Sequence, residues 1–488
     1  MARSVIRPRL SQQVQGFYLN QLQGGIDQTQ LRIADGPVGA APFSFMVIGD
    51  TDAGISSNAN CAAFSAAFAA QLMQHLGDSR LLLHTGDVTY PIGSYENYLN
   101  GFLRPYQSLL SRLPNSPSDR SEPIVFNRPL LPVPGNHDYA ESNSKLWQGV
   151  LRRVCDRLRA VGIDFGHYGG QGGEAYGQTF LDDLKKLTSE QLTTHLATHY
   201  SAVVTDGIAG NRAVDSSSDR PQHCLNYRPG QFTRLPNRYY RFRYGGVDFF
   251  ALDSNTWNTD PAAKNFDQQQ LSWLKQALIR SWQTPNTVGR IIYLHHSPYT
   301  TESSRWQQPQ ALWVRWHLQT VLDQVIAELE TKGAANPIAS SLRLQHNPLV
   351  DLVISGHAHC LEHLRTTNTG HADAYINWLV CGGSGADIRR QRSAGADILG
   401  KVVSKGKPHA SVVARSQLYA GLHGHNRSQQ RFHSFLRIEV QPNQSQKLLV
   451  RPFVVSRESE GWLTKALAPI RVGQPYTELS AAVRKEIS

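Results

Sequence analysis

Short apolar runs recur along the chain, and four of them are followed by glycine and then by Asp, Asn or His. Runs of this length between turn residues favour buried strands over helices, which need more residues. The four runs cover residues 43–48, 81–84, 130–134 and 349–355. The polar sequences that follow them are Gly49-Asp50, Gly86-Asp87, Gly135-Asn136-His137-Asp138 and Gly356-His357-Ala358-His359. The pattern therefore predicts four strands that each deliver polar side chains at a carboxyl end.

Helical patterns separate several of these strands. The predicted helices cover about residues 58–76, 95–113, 267–282 and 307–329. The first of them ends at Gly77 and lies between strands 43–48 and 80–84, which makes a βαβ unit. Such units are typical of layered α/β proteins, which place ligands beyond the carboxyl ends of their strands. We therefore expect the polar residues to meet at one edge of a sheet.

Further β-rich runs predict the rest of the sheet structure. They cover residues 238–244, 247–252, 290–294, 375–380, 432–440 and 447–455. Gly245-Gly246 joins the first two as a hairpin, and the last two form a second hairpin that closes the sheet. The strand at 290–294 ends in His295-His296-Ser297-Pro298, which adds histidines to the same edge.

The patterns divide the chain into three regions. Residues 1–40 are polar and irregular and predict an N-terminal arm and linker, and residues 41–456 predict the main domain. Within this domain, residues from about 141 to 237 depart from regular alternation and predict an insertion of loops and of two helices, at 144–161 and 179–197. Its glycine-rich stretch at 166–173 is interpreted as a flexible connection, or alternatively as a lid beside the site. Residues 457–488 are expected to form a helical tail.

Composition and charge narrow the function classes. The net charge of +11 comes from 49 basic and 38 acidic residues. These are dispersed without long basic runs, so no nucleic-acid partner is expected. No signal peptide and no apolar stretch long enough for a membrane span is visible, so we expect a soluble cytoplasmic protein without a membrane partner. The odd number and wide spacing of the cysteines argue against a disulfide framework or a zinc ribbon; they are Cys61, Cys155, Cys224, Cys360 and Cys381.

The polar residues at the predicted strand ends have the chemistry of metal ligands. Carboxylate, imidazole, amide and phenol groups offer oxygen and nitrogen donors, which suit iron, manganese or zinc. A carboxylate shared by two cations can hold them about 3.5–4 Å apart, as two-metal hydrolases require. The pattern therefore predicts a dinuclear centre that attacks phosphorus with a metal-bound hydroxide.

Five motifs in one order resemble those of the calcineurin-like metallophosphoesterases. They are Gly-Asp, Gly-Asp-x-x-Tyr, Gly-Asn-His-Asp, His-x-Pro and Gly-His-x-His, and they lie between residues 43 and 385. Tyr90, in the second motif, makes the purple acid phosphatase branch the most similar. The resemblance implies a four-layer α/β/β/α sandwich of two mixed sheets that holds two metal ions at the strand ends.

The resemblance also implies ligands for the first ion. Asp87 would bridge both ions and so take part in catalysis. Asp50, Tyr90 and His359 would complete the first site, where Fe³⁺ coloured by the tyrosinate is expected.

For the second ion, the resemblance implies Asn136, His296 and His357 as ligands and Fe²⁺, Mn²⁺ or Zn²⁺ as the metal. The family places its ligand histidine two residues before a proline, which selects His296 and leaves His295 as a further candidate. His137 would be a catalytic residue that binds the phosphate or protonates the leaving group.

Two departures from the family pattern concern the site. Asp52 stands where purple acid phosphatases usually have glycine, so it is a further candidate ligand or a group that orients one. Its charge puts the ferric identity of the first ion in doubt. Plant-type members carry histidines just after the His-x-Pro motif, whereas this chain has Thr, Glu, Ser and Arg at 300–305. Substrate contacts there are expected to differ.

The predicted function is hydrolysis of a small-molecule phosphate ester, most consistent with a phosphomonoester. A phosphodiesterase acting on cyclic nucleotides or glycerophosphodiesters is the alternative on the same fold. A non-catalytic scaffold is a remote alternative, because such a protein would be expected to lack some of the ligands.

Overall fold

A computed structural model describes residues 25–37, 39–51, 59–112, 124–139, 173–202, 223–331, 348–385, 387–404, 407–424, 429–444, 447–459 and 461–472. Within these residues the strands are β1 (Ile26–Ile33), β2 (Phe43–Ile48), β3 (Leu81–His84), β4 (Leu110–Arg112), β5 (Val125–Phe126), β6 (Leu130–Pro132), β7 (Tyr200–Ala202), β8 (His223–Tyr227), β9 (Tyr240–Tyr244), β10 (Val247–Ala251), β11 (Gly289–Leu294), β12 (Leu352–Ser355), β13 (Leu361–Thr366), β14 (Asn377–Cys381), β15 (Asp397–Ser404), β16 (Lys407–Ala420), β17 (Leu422–His423), β18 (Gln430–Arg431), β19 (His433–Val440), β20 (Leu448–Glu458), β21 (Gly461–Ala466) and β22 (Ile470–Val472).

The α-helices are α1 (Ala59–Leu76), α2 (Tyr95–Asn97), α3 (Asn136–Tyr139), α4 (Glu174–Phe180), α5 (Ser189–His199), α6 (Gln268–Gln283) and α7 (Pro309–Thr331). A π-helical segment at Tyr98–Leu103 continues α2, and short 3₁₀ turns lie at Gln107–Leu109, Leu184–Lys186, Ser254–Thr256 and Pro261–Ala263. None of these helices is both long enough and apolar enough to cross a membrane.

The smaller of the two main sheets has seven strands, in the order β21-β20-β19-β2-β3-β6 with β22 also paired to β20. Strands β2, β3 and β6 are parallel, and β19 is antiparallel to β2. All six residues of β2 are buried, as are all four of β3. Strands covered on both faces read as continuous apolar runs, which explains why the sequence pattern located them so well.

The larger sheet has eleven strands, in the order β15-β16-β13-β14-β12-β11-β10-β9-β1-β8-β7. Its centre is parallel, because β10, β11, β12 and β14 pair in that sense. Antiparallel strands flank this centre on both sides, β9 next to β10 and β13 next to β14. The sheet is therefore mixed, like the smaller one.

The sheets pack face to face, with helices on their outer faces. Phe45 of the smaller sheet meets Phe249 of the larger edge to face, with ring centroids 5.4 Å apart. On the outside of the smaller sheet, Phe68 of α1 packs against Phe435 at 6.1 Å. Helices α6 and α7 share a separate core with the outer face of the larger sheet. The predicted four-layer α/β/β/α sandwich is confirmed.

Several predicted elements lie where the sequence placed them. Strand β2, the hairpins β9–β10 and β19–β20, and helices α6 and α7 agree within a few residues. Helix α1 ends before Gly77, whose φ of +51° is the left-handed conformation that terminates helices. The helix predicted at 95–113 is shorter than expected, because a 3₁₀ turn and strand β4 follow the helical residues.

Both predicted ends of the main domain need correction. The N-terminal arm contains β1, which lies between β8 and β9 and buries Leu31 and Ile33. The tail predicted as helical contains β21 and β22, both paired with β20. Pairing with neighbouring strands stabilises these elements, with β8 and β9 far away in sequence for β1, so their polar local sequences gave little sign of them. Residues 1–24 and 473–488 lie outside the described residues.

Part of the predicted insertion is described. The helix predicted at 144–161 and nearly all of the glycine-rich stretch at 166–173 fall outside the described residues. The helix predicted at 179–197 is replaced by α4 and α5, with a 3₁₀ turn between them. Helix α5 begins at a capping box, in which Thr188 and Gln191 each bond the other's backbone N–H.

Candidate metal centre

The candidate ligands converge in the gap between the carboxyl ends of the parallel strands. Asp50 follows β2, Asp87 follows β3 and Asn136 follows β6, all from the smaller sheet. His295 follows β11 and His357 follows β12, both from the larger sheet. The loops of both sheets therefore build one site.

Three of these residues have strained backbones. Asp50, Asp87 and His357 have φ values of 55°, 50° and 65°, in the left-handed region that residues other than glycine rarely adopt. Such conformations cost roughly 1–3 kcal/mol each and persist where the surroundings impose them. Here the backbone N–H of His357 donates to Asp50 Oδ2 at 3.0 Å. Strain of this kind is concentrated at functional sites.

The glycines of two motifs are required by close approach. A Cβ on Gly135 would lie 2.1 Å from Asp87 Oδ1, and one on Gly356 would lie 2.5 Å from Asp50 Oδ2. Neither distance is compatible with a side chain. The motif glycines therefore let the loops pass directly over the two carboxylates.

Four of the predicted ligands surround one point. The Tyr90 hydroxyl, which has one proton to donate, lies 2.8 Å from Asp50 Oδ1 and 2.9 Å from Asp87 Oδ2. His359 Nε2 lies 3.2 Å from the same hydroxyl and 3.5 Å from Asp50 Oδ1. These are the residues that the sequence grouped around the first ion.

A second group of donors surrounds His295 Nε2. Asn136 Oδ1 and His357 Nδ1 both lie 3.1 Å from this nitrogen, and Asp87 Oδ2 lies 3.4 Å away. Donor atoms of Asp50, Asp87 and His295 all lie within 4.8 Å of one another. Asp87 Oδ2 belongs to both groups, while its Oδ1 accepts from the His137 backbone N–H at 2.8 Å.

The outer ring nitrogens of two of the histidines, His295 and His359, fix their tautomers. His295 Nδ1 lies 2.9 Å from Thr85 O, and His359 Nδ1 lies 2.6 Å from Asp387 O. A carbonyl oxygen only accepts, so each of these nitrogens donates a proton. In the neutral ring, Nε2 then presents a lone pair to the centre, which is how ligand histidines are usually oriented.

The centre fits cations. Lone pairs of the histidines, the carboxylates and the Asn136 amide oxygen face each other. Only protons or cations can compensate the electrostatic repulsion between them. Burial lowers the pKa of His295, but the Asp87 carboxylate outweighs it and raises that pKa to about 9. Burial likewise opposes protonation of His359, yet Asp387 and Asp50 raise its pKa to about 9. Burial, Asp50 and Asp87 raise the pKa of the Tyr90 hydroxyl, so a phenolate there requires a cation.

His137 lies beside this centre. Its ring Nδ1 donates to Pro91 O at 2.7 Å, and its ring centroid lies 4.4 Å from that of Tyr90. The structure thus brings His137 next to the first group of candidate ligands, and its catalytic role stays a prediction.

The rings of His295 and His296 have different surroundings, and the sequence-based choice of ligand was His296. His296 Nδ1 lies 2.8 Å from Ser254 Oγ, and its Nε2 lies 3.3 Å from Asn258 Nδ2. Its ring is near that of His357, at 4.6 Å, but its hydrogen bonds run to the segment after β10. The contacts place His295 Nε2 among the other candidate donors and the ring of His296 beside them. Which of the two histidines binds metal stays a prediction.

The two departures noted in the sequence have different outcomes. Asp52 lies outside the described residues, so its proposed role stays a prediction. The segment at 300–305 is held against the site, because buried Glu362 accepts from Thr300 Oγ1 at 2.7 Å and from Thr301 N at 3.0 Å. Arg305 Nε then reaches His357 O at 3.4 Å.

Sequence reasoning missed several residues that support the ligands. Asp138 accepts from Gly135 N at 2.8 Å and from the Tyr98 hydroxyl at 2.7 Å, which fixes the loop that carries Asn136. Its place in the Gly-Asn-His-Asp motif was a usable signal. Gln308 and Asp387 contact ligand histidines through the tertiary structure, and their local sequences carry no comparable signal.

A comparison with known families agrees with these motifs. The sequence model of the calcineurin-like phosphoesterase family matches residues 43–361 of this chain. The chain belongs to this family. Its members act on phosphate esters with two metal ions, so the resemblance inferred from the motifs is confirmed at the family level.

Solved structures similar to this chain are distant. A purple acid phosphatase, PPD1, from yellow lupin (Lupinus luteus) seeds is 12% identical, with a TM-score of 0.45 over 88% of this chain. This chain covers 55% of the lupin protein. GAP50, described as the anchor in the inner membrane complex of Plasmodium, is 12% identical over 90% of both chains, with a TM-score of 0.39. PhoD is 11% identical over 91% of this chain and 74% of its own, also at 0.39. No curated protein matches the sequence.

Proposed function

We propose that this chain hydrolyses phosphate monoesters with two metal ions bridged by Asp87. The observation that carries the proposal is the position of Asp87 Oδ2, 2.9 Å from the Tyr90 hydroxyl and 3.4 Å from His295 Nε2. One carboxylate oxygen thus faces both groups of donors. Sharing of this kind is what a dinuclear centre needs and what a single-ion site does not.

Each ion has its own ligands in this proposal. Asp50, Tyr90 and His359 would hold the first ion, and Asn136, His295 and His357 would hold the second. When bound, the ions would lower the pKa of a water molecule and neutralise charge on the phosphoryl oxygens.

The first ion is proposed to be ferric. Burial and two carboxylates oppose ionisation of Tyr90, so a strongly charged cation is needed to bind its phenolate. Imidazole and amide donors in the second group suit a divalent ion, Fe²⁺, Mn²⁺ or Zn²⁺.

His137 is proposed to move the proton that the leaving group needs. Its Nδ1 proton is committed to Pro91 O at 2.7 Å. The proton given to the leaving-group oxygen would therefore be carried on Nε2. The Pro91 carbonyl keeps the ring oriented during this transfer, as a general acid requires.

The preference for monoesters rests on Tyr90, which carries the resemblance to the purple acid phosphatase branch. A phosphodiesterase has the same ligand chemistry, so the substrate must be tested directly. The experiment compares hydrolysis of p-nitrophenyl phosphate with that of bis(p-nitrophenyl) phosphate, using protein expressed with added iron and manganese. Metal content and visible absorption are measured on the same preparation.

We expect two metals per chain, a broad visible band from the tyrosinate, and faster turnover of the monoester. Faster turnover of the diester would contradict the substrate assignment. Two metals without colour would remove Tyr90 or ferric iron from the first site. Protein that takes up no metal and hydrolyses neither ester would contradict the proposal as a whole and favour the scaffold.

A further inference from the structure

His357 is held differently from the other two ligand histidines. The outer nitrogens of His295 and His359 bond to main-chain carbonyls, of Thr85 and Asp387. The outer nitrogen of His357, Nε2, instead lies 2.6 Å from the side-chain oxygen Oε1 of Gln308. A side chain can be exchanged where a backbone carbonyl cannot, so this contact is open to a direct test.

The main chain of Gln308 is fixed beside His357. Its backbone N–H donates to Arg305 O at 3.0 Å, and its own carbonyl accepts from Leu312 N at 3.1 Å. It directly precedes Pro309, the first residue of the 23-residue helix α7, which packs into the outer core of the larger sheet. The start of this helix therefore keeps the side chain of Gln308 within reach of the His357 ring.

The rings of His295 and His296 pack beside that of His357, and its main-chain hydrogen bonds do not reach the ring nitrogens. Its backbone N–H donates to Asp50 Oδ2 at 3.0 Å, and its carbonyl accepts from Arg305 Nε at 3.4 Å. These bonds hold the strained main chain but not the orientation of the imidazole. An acceptor at Nε2 keeps the proton there and leaves a lone pair on Nδ1, which faces His295 Nε2 at 3.1 Å.

We propose that Gln308 is the positioning residue of the second metal site. By accepting from Nε2 it holds His357 in the tautomer and orientation in which Nδ1 binds the second ion. The first ion, held by groups that Gln308 does not contact, is independent of it. The inference rests on the proposed function only in requiring that two ions bind.

The test uses metal-free protein titrated with Zn²⁺ by calorimetry, so it does not depend on turnover. Gln308→Leu removes the acceptor, and Gln308→Glu keeps an acceptor and removes the donor of the amide. Gln307→Leu is the matched control, because Gln307 is the exposed neighbour in the same turn. Thermal midpoints of the metal-free variants report on the fold.

For Gln308→Leu we expect the affinity for the second ion to fall about 10–100-fold, with the first affinity and the metal-free midpoint unchanged. Gln308→Glu should bind the second ion at least as tightly as the parent, and Gln307→Leu should match the parent throughout.

Unchanged affinity for the second ion in Gln308→Leu would overturn the inference, as would an equal loss at both sites. Weak binding of the second ion by Gln308→Glu would also overturn it, because the amide would then act as a donor. If the parent protein itself bound no ion, the proposed function would fail, and this result is distinct from the others.

Discussion

The two sheets contribute different chemistry to the same centre. Proposed ligands that follow strands of the smaller sheet offer oxygen: the carboxylates of Asp50 and Asp87, the Tyr90 hydroxyl and the Asn136 amide. Proposed ligands that follow strands of the larger sheet offer nitrogen; they are His295, His357 and His359. Neither sheet has a complete set, so the centre exists only where the two are packed together.

The ligands are also held by groups from the opposite sheet. His295, from the larger sheet, is oriented by Thr85 O after β3 of the smaller one, at 2.9 Å. Asp50, from the smaller sheet, is oriented by the backbone N–H of His357 in the larger one, at 3.0 Å. Each motif alone is therefore weak evidence for a metal centre, because it supplies only some of the donors. The other donors, and the groups that orient them, come from the opposite sheet.

Neutralising the shared carboxylate of Asp87 should have the largest effect. In Asp87→Asn the amide oxygen can still accept from His137 N, but the charge between both groups of ligands is lost. We expect loss of both ions and of measurable hydrolysis, determined by metal analysis and p-nitrophenyl phosphate turnover. Asp78→Asn is the control, since Asp78 is 81% exposed at its side chain. Two retained ions with full activity would show that Asp87 is not the bridge.

Removing one nitrogen donor should affect one ion. We expect His295→Ala to lower the affinity for the second ion at least about 100-fold and to retain the first, because three predicted ligands surround its Nε2. His296→Ala should change that affinity far less, since its ring bonds Ser254 and Asn258. Calorimetric titration of the two metal-free variants makes the comparison. The reverse order would restore His296 as the ligand.

A change beside the ligands should affect turnover alone. His137→Asn should keep both ions and slow hydrolysis of p-nitrophenyl phosphate by about 10²–10⁴-fold if His137 protonates the leaving group. The loss should be smaller for a substrate whose leaving group needs no proton. An equal loss with both substrates would assign His137 to phosphate binding, and loss of metal would make it structural.

Of these changes, a change of pH is expected to have the smallest effect on metal affinity. In the metal-free protein the pKa values of His295 and His359 are both raised to about 9, from an ordinary value of 6.5. At pH 7 both rings are protonated, so metal binding must displace about two protons, and affinity should rise with pH up to about 9. Calorimetry in buffers of different ionisation enthalpy measures this release. Binding without proton release at pH 7 would contradict it.

The same raised pKa values determine how the stability of the metal-free protein changes with pH. A raised pKa contributes stability that is fully present below the unfolded value and is lost as pH rises through the folded one. The metal-free protein should therefore lose stability between about pH 6.5 and 9, while bound cations replace the protons and reduce this loss. Thermal midpoints measured with and without Zn²⁺ across this range test the difference.

The parallel strands at the centre were predictable because a strand buried on both faces is a continuous run of apolar residues in the sequence. Strand β2 was placed to the residue, and the motifs after β3, β6 and β12 named most of the ligands. Strand β1 is stabilised by the distant strands β8 and β9, and strands β21 and β22 by β20, but their polar sequences did not show these pairings. The same holds for Gln308, whose contact with His357 joins residues 49 positions apart.

The sequence by itself determined the family, the layered architecture and the set of donor types, because strand burial and motif glycines are local requirements. Only the tertiary structure decided which donors share a point. It placed the His295 ring beside Asn136 and His357, since the direction of a side chain after a strand depends on how the strand enters the sheet. It also placed Asp87 Oδ2 between the two groups, because that position requires both sheets to be packed together.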